Sequence, residues 1–247
     1  MATSEIPTRE SLTKHLLSLS TPRPYSAAIE HPFLTDVGRG TLSPALLSFY
    51  LAQDRFYTAH AYPHFIGNLI TAVPFSTAHA PGSAEDAANQ HIVGLLVRAL
   101  EGVRREVVMF SDVSKKHGFE LGKWRERKAT RDYTAEMARV GARGRIEEGL
   151  VCLWAMERVY LDAWKYVGSL KPSASSDLAG AIVELVQNWT SPEFVRFVDE
   201  LEDIVNSLKI EPGSEAYVRA EEIWARVIEL EEAFWPVAGE DLSVYAK

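Results

Sequence analysis

The chain has 247 residues, of which 47% are hydrophobic and 24% charged, enough apolar material for a substantial core in one large domain or two small ones. A net charge of −8 and a pI near 5.4, with no sizeable Lys/Arg cluster, argue against a nucleic-acid or anionic-membrane binder. A single cysteine, Cys152, excludes an internal disulfide framework and points to a reducing compartment, expected to be the cytoplasm.

The opening MATSEIPTRESLTKHLL is polar, carries two early glutamates, and reads as neither a signal nor a transit peptide. No apolar run approaches the roughly 20 residues that span a bilayer. Thr8 is placed to cap a first helix carrying Leu12, Leu16 and Leu19. PYSAAIEHPFLTDVGRG reads as a short helix, a second turn at His31–Pro32 and a glycine stop. Ser43–Pro44 is a cap followed by proline at the first helical position. Its helix is expected to run toward Val73 with a kink near Pro63, which has no N–H to donate. PFSTAHAPGS is the clearest loop, and Ser83 with Asp86 forms a capping-box pattern for a helix ending near Gly118. Further helices are predicted at about 130–141, 144–169, 175–188 and 191–207, and a last one from Ser214 to about Pro236. Nothing alternates like a strand, and no linker or internal repeat divides the chain. The expectation is one all-α domain over residues 1–247 with eight or more helices.

Three acidic residues sit where apolar ones are expected. Asp54 shares an i, i+4, i+7 stripe with Tyr50 and Tyr57; Glu157 lies in Leu153, Glu157, Tyr160, Trp164; Glu231 lies in Trp224, Ile228, Glu231, Trp235. A buried carboxylate is costly unless paired or hydrogen-bonded. Should the three faces meet, they make an acidic pocket with flat π walls. Such a pocket suits a small, planar, nitrogen-rich ligand, stacked on the rings and bonded by a carboxylate along an amidine-like edge. Burial also raises carboxyl pKa values toward the range a general acid needs. The bland alternative places each carboxylate at a stripe edge, solvated or paired with Arg.

Other patterns are weaker. His60 and His64 are i, i+4 but interrupted by Pro63. No Glu-x-x-His pair, phosphate-binding glycine loop or G-x-S-x-G elbow occurs. No metal site is expected. Asn188-Trp189-Thr190 matches a glycosylation acceptor by chance. Cys152 is most simply a small buried hydrophobe.

In their order and spacing, several segments resemble the TenA family, also called thiaminase II, with a heme-oxygenase-like all-α fold. They are HPFLTDVGRGTLSPALLSFYLAQDRFY, RDYTAEMARV, NWTSPEFVRFVDEL and ELEEAFWPVA. Carried over by this resemblance, Asp54 holds the aminopyrimidine edge and Tyr57 and Tyr133 are pocket tyrosines. Glu231 is the acid near the leaving group. Tyr50, Tyr160 and Trp189 join the substrate-binding set, Trp189 standing where a better-known branch has tyrosine. Aligning that branch's tyrosine with Tyr160 puts Met156 at its nucleophilic cysteine and gives Glu157 a catalytic role. LWAMERVYLDAW thus looks like the branch lacking the cysteine. An alternative alignment equates Cys152 with the cysteine, but then Met156 replaces the tyrosine.

The resemblance implies a cofactor-free hydrolase of thiamin-derived aminopyrimidines in thiamin salvage. It would convert aminopyrimidine or its formyl derivative to the hydroxymethylpyrimidine, in a dimer or tetramer. Thiamin hydrolysis through Cys152, a non-catalytic pyrimidine-binding protein and an oxidase on the same fold are the rival readings.

Overall fold

The computed structural model describes residues 10–171 and 176–247. Eleven α-helices are named among them: α1 (Leu12–Ser18), α2 (Tyr25–Ile29), α3 (Pro32–Arg39), α4 (Pro44–Phe56), α5 (Tyr62–Ala72), α6 (Ala84–His117), α7 (Lys128–Ala142), α8 (Ile146–Ser169), α9 (Ala179–Trp189), α10 (Pro192–Ser207) and α11 (Glu215–Phe234). No strand occurs among the described residues; the one extended pairing is an isolated bridge between Trp124 and Ala246. No described helix is long and apolar enough to cross a membrane.

The helix starts follow local chemistry. Ser43, Ser83, Ser191 and Ser214 each accept, through the side-chain oxygen, the N–H three residues on. Each thereby satisfies one of the unpaired donors of its helix. Gly40 and Gly118 close α3 and α6 in the left-handed conformation, at φ 68° and 72°. The first helix differs from the expected start. Thr8 lies outside the described residues, and Ser11 caps α1 by accepting from the Lys14 N–H. The predicted start of α9 near residue 175 likewise falls at the edge of an undescribed stretch; the helix is described from Ala179.

The helical ladder changes before Pro63 rather than at it. The ladder widens earlier, in a π turn over Tyr57–Ala61 where the Tyr62 N–H reaches the carbonyl of Tyr57. Pro63 follows directly on this turn, near the start of α5. The extra residue in the turn lets Asp54, Tyr57, Thr58 and Tyr62 all face one side.

α8 runs through the centre and packs against α3, α10 and α11. Trp154, Trp164 and Trp224 are fully buried there. The approach of α3 requires glycine. A Cβ on Gly38 would lie 2.9 Å from the Val167 carbonyl oxygen and 2.6 Å from Leu170 Cδ1. Gly38→Ala is therefore expected to destabilise the fold by about 1–3 kcal/mol, the cost of overpacking, despite alanine's better helix propensity. A urea melt lower in midpoint than wild type is the expected reading.

Candidate active site

Four helices each deliver one carboxyl group to a cavity of about 330 Å³: Asp54 from α4, Glu106 from α6, Glu157 from α8 and Glu231 from α11. Tyr57, Tyr62, Tyr133, Tyr160, Trp189 and Phe234 supply flat walls. Arg98, Arg105 and Arg196 stand among the lining residues toward α10, where Arg98 pairs with Glu200 and Arg105 with Glu193.

Each carboxyl is held by a ring. The Tyr160 hydroxyl donates to Asp54 Oδ2 at 2.6 Å and the Tyr50 hydroxyl to the same oxygen at 3.2 Å, with the two phenols 2.7 Å apart. Tyr62 donates to Glu157 Oε1 and Tyr133 to Glu231 Oε1, each at 2.5 Å. The Trp189 indole N–H donates to Glu106 Oε1. These bonds fix which way each carboxyl points, because both partners sit on packed helices.

Burial sets the electrostatics. It pushes Asp54 up to about 7 against the opposing pull of the Tyr160, Tyr50 and Thr58 donors. Burial raises Glu157 to about 7, with the Tyr62 donor opposing and Asp54 adding to the rise. Glu231 rises to about 8, again from burial, with Asp54 and Glu157 adding to it. Glu106 is held well above the usual carboxylate range by burial and by Asp54. Carboxyl groups so placed oppose one another's ionisation near neutral pH.

The structure brings Asp54, Tyr57, Tyr133, Glu157, Tyr160, Trp189 and Glu231 of the expected set to one cavity. Tyr50 is not among the residues lining the cavity. It is fully buried and donates its hydroxyl hydrogen bond to Asp54 Oδ2. Cys152 is also off the cavity wall. Its sulfur lies 3.7 Å from that of Met156, which does line the cavity, and burial pushes its thiol far up. Glu106 and Tyr62 were not expected. Among the described residues, no group of three or more His, Cys, Asp or Glu side chains is gathered to hold a metal ion.

The model of the TENA/THI-4/PQQC family matches residues 22–241. The chain belongs to this family. A family relative from Pyrococcus furiosus, a TenA homologue of solved structure, superposes with a TM-score of 0.75 at 21% identity over 91% of this chain and 98% of its own. That likeness carries the all-helical fold. A Glycine max protein named "Probable bifunctional TENA-E protein" is 21% identical over 85% of this chain and 86% of its length. A Fusarium pseudograminearum (strain CS3096) protein named "Probable transcription factor" is 26% identical over 84% of this chain. Of that protein this TENA/THI-4/PQQC chain spans only about half, 47%.

Proposed function

We propose that the cavity binds a thiamin-derived aminopyrimidine and hydrolyses the C–N bond of its aminomethyl group, in thiamin salvage. The observation that carries this reading is the meeting of Asp54, Glu157 and Glu231, all with raised pKa values, in one aromatic cavity. Asp54, steadied by two phenols, takes the 4-amino and ring-nitrogen edge. Tyr57 and Tyr133 flank the ring. Glu231, which holds its proton up to about pH 8, gives that proton to the departing amine. Glu157, in its ionised form, takes a proton from the water that attacks the methylene carbon. The C–N electron pair leaves with nitrogen, so water and aminopyrimidine become hydroxymethylpyrimidine and ammonia. No cofactor enters this balance.

The buried, high-pKa thiol of Cys152 argues against thiolate attack. Cys152→Ser is accordingly expected to keep most aminopyrimidine hydrolysis; a loss of a thousandfold or more in kcat, with the fold intact, would restore the thiaminase reading. The substrate is tested by incubating the protein with thiamin, aminopyrimidine and formylaminopyrimidine and following products by mass spectrometry. A dimer or tetramer in the cytoplasm completes the proposal, and light scattering checks the assembly.

A further inference from the structure

The hydrolysis proposed above uses Asp54, Glu157 and Glu231; Glu193 and Glu200 on the α10 wall are paired with Arg105 and Arg98, and Glu106 has no part in it. Glu106 enters from α6, half-buried, beside Gly102 and Val103. Its Oε1 accepts the Trp189 N–H, while among the described residues its Oε2 has no protein donor. That second oxygen is free to meet a donor or acceptor on a ligand. Its position relative to the others is also marked. Trp189, which holds Glu106, packs its ring on Tyr160 at 5.2 Å, whereas Tyr133, which holds Glu231, packs on Tyr57 at 5.1 Å and on Phe234 at 5.8 Å. Glu106 and Glu231 are thus held by different rings on different walls of the cavity.

A pyrimidine seated with its 4-amino edge on Asp54 and its leaving amine toward Glu157 and Glu231 has one polar atom left. This is ring nitrogen N1, across the ring from the 4-amino group and away from the leaving group. We propose that Glu106 binds N1 of the aminopyrimidine and is a specificity-determining residue of the site, with Trp189 holding it in place. A protonated carboxyl donates to N1; an ionised one accepts from N1–H. In either state a ring with carbon at that position forms no bond. The inference rests on the pyrimidine reading above and adds to it which edge of the ring is recognised.

The test is calorimetry with two probes: 4-amino-5-hydroxymethyl-2-methylpyrimidine and its pyridine analogue carrying CH in place of N1. Glu106→Leu is expected to weaken pyrimidine binding by about tenfold or more and to leave analogue binding nearly unchanged. Glu106→Ala, which adds no bulk, should give the same split. A merely structural role would weaken both probes together. Trp189→Phe, which removes the N–H and keeps a ring, should weaken the pyrimidine by a smaller factor. Equal losses on both probes in Glu106→Leu and Glu106→Ala overturn the inference and leave the pyrimidine reading standing. Failure of the wild type to bind the pyrimidine at all overturns that reading and this inference with it.

Discussion

Replacing Glu231 by glutamine is expected to lower kcat/KM for the aminopyrimidine by on the order of a hundredfold or more, the scale of general acid–base catalysis. Glutamine keeps the shape and can still accept from Tyr133, but it has no proton to give the leaving amine. Glu157→Gln should cost a similar factor, because its amide cannot take a proton from water. The double variant should lose far less than the product of the single losses, since the two groups act as a unit. The pH profile follows from the same geometry. Activity falls on the alkaline side as Glu231 deprotonates near about 8 and on the acid side as Glu157 protonates near about 7. Near wild-type activity in Glu157→Gln would remove it from the mechanism and leave Glu231 as the only acid.

Glu231 also ties stability to pH. Its folded pKa is raised from 4.5 to about 8, so the folded chain holds a proton that the unfolded chain has released between those values. The stabilising contribution is complete below about pH 4.5 and is lost as pH rises through about 8. The melting temperature of wild type should therefore drop between pH 5 and pH 8.5 by more than that of Glu231→Gln.

Asp54→Asn should weaken binding of the hydroxymethylpyrimidine by about 1.5–3 kcal/mol, the worth of a hydrogen bond to a charged group. That is roughly a ten- to hundredfold rise in Kd. Tyr160 and Tyr50 donate to Asp54 Oδ2, so its orientation is fixed by side chains that an asparagine would keep only in part. Tyr160→Phe and Tyr50→Phe should each reproduce part of the loss, Tyr50→Phe without touching the ligand. Unchanged affinity in a folded Asp54→Asn protein would remove Asp54 from the binding site.

Much of the fold is legible in the chain because capping is local. Ser43–Pro44, Ser83, Ser191–Pro192 and Ser214 mark helix starts, and Gly40 and Gly118 mark ends, without reference to any distant residue. The π turn is not legible. A one-residue slip in the ladder depends on what packs around Tyr57–Ala61, and Pro63 offered a nearer, different reason for a bend.

The aromatic stripes made Asp54, Glu157 and Glu231 visible. Glu106 carries the same spacing in Ala99, Val103, Glu106 and Phe110, all but the glutamate buried. Its stripe is mostly aliphatic, and the adjacent Arg104 and Arg105 give the segment the look of a solvated face. Tyr50 shows the opposite limit. Helical spacing puts it on the same face as Asp54 but says nothing of depth, and the packing of Phe33 and Trp235 against its ring holds it one layer behind the cavity. Tyr62, eight residues after Asp54, lies across the π turn from it and lines the same cavity.

The most direct measurement of the central claim is single-turnover hydrolysis of the aminopyrimidine in ¹⁸O-labelled water, by wild type and by Glu231→Gln, with product mass read directly. Hydroxymethylpyrimidine carrying one ¹⁸O from wild type, and a rate lower by on the order of a hundredfold or more from Glu231→Gln, is the predicted result. No labelled product from wild type, or an undiminished rate in a folded Glu231→Gln protein, would contradict it.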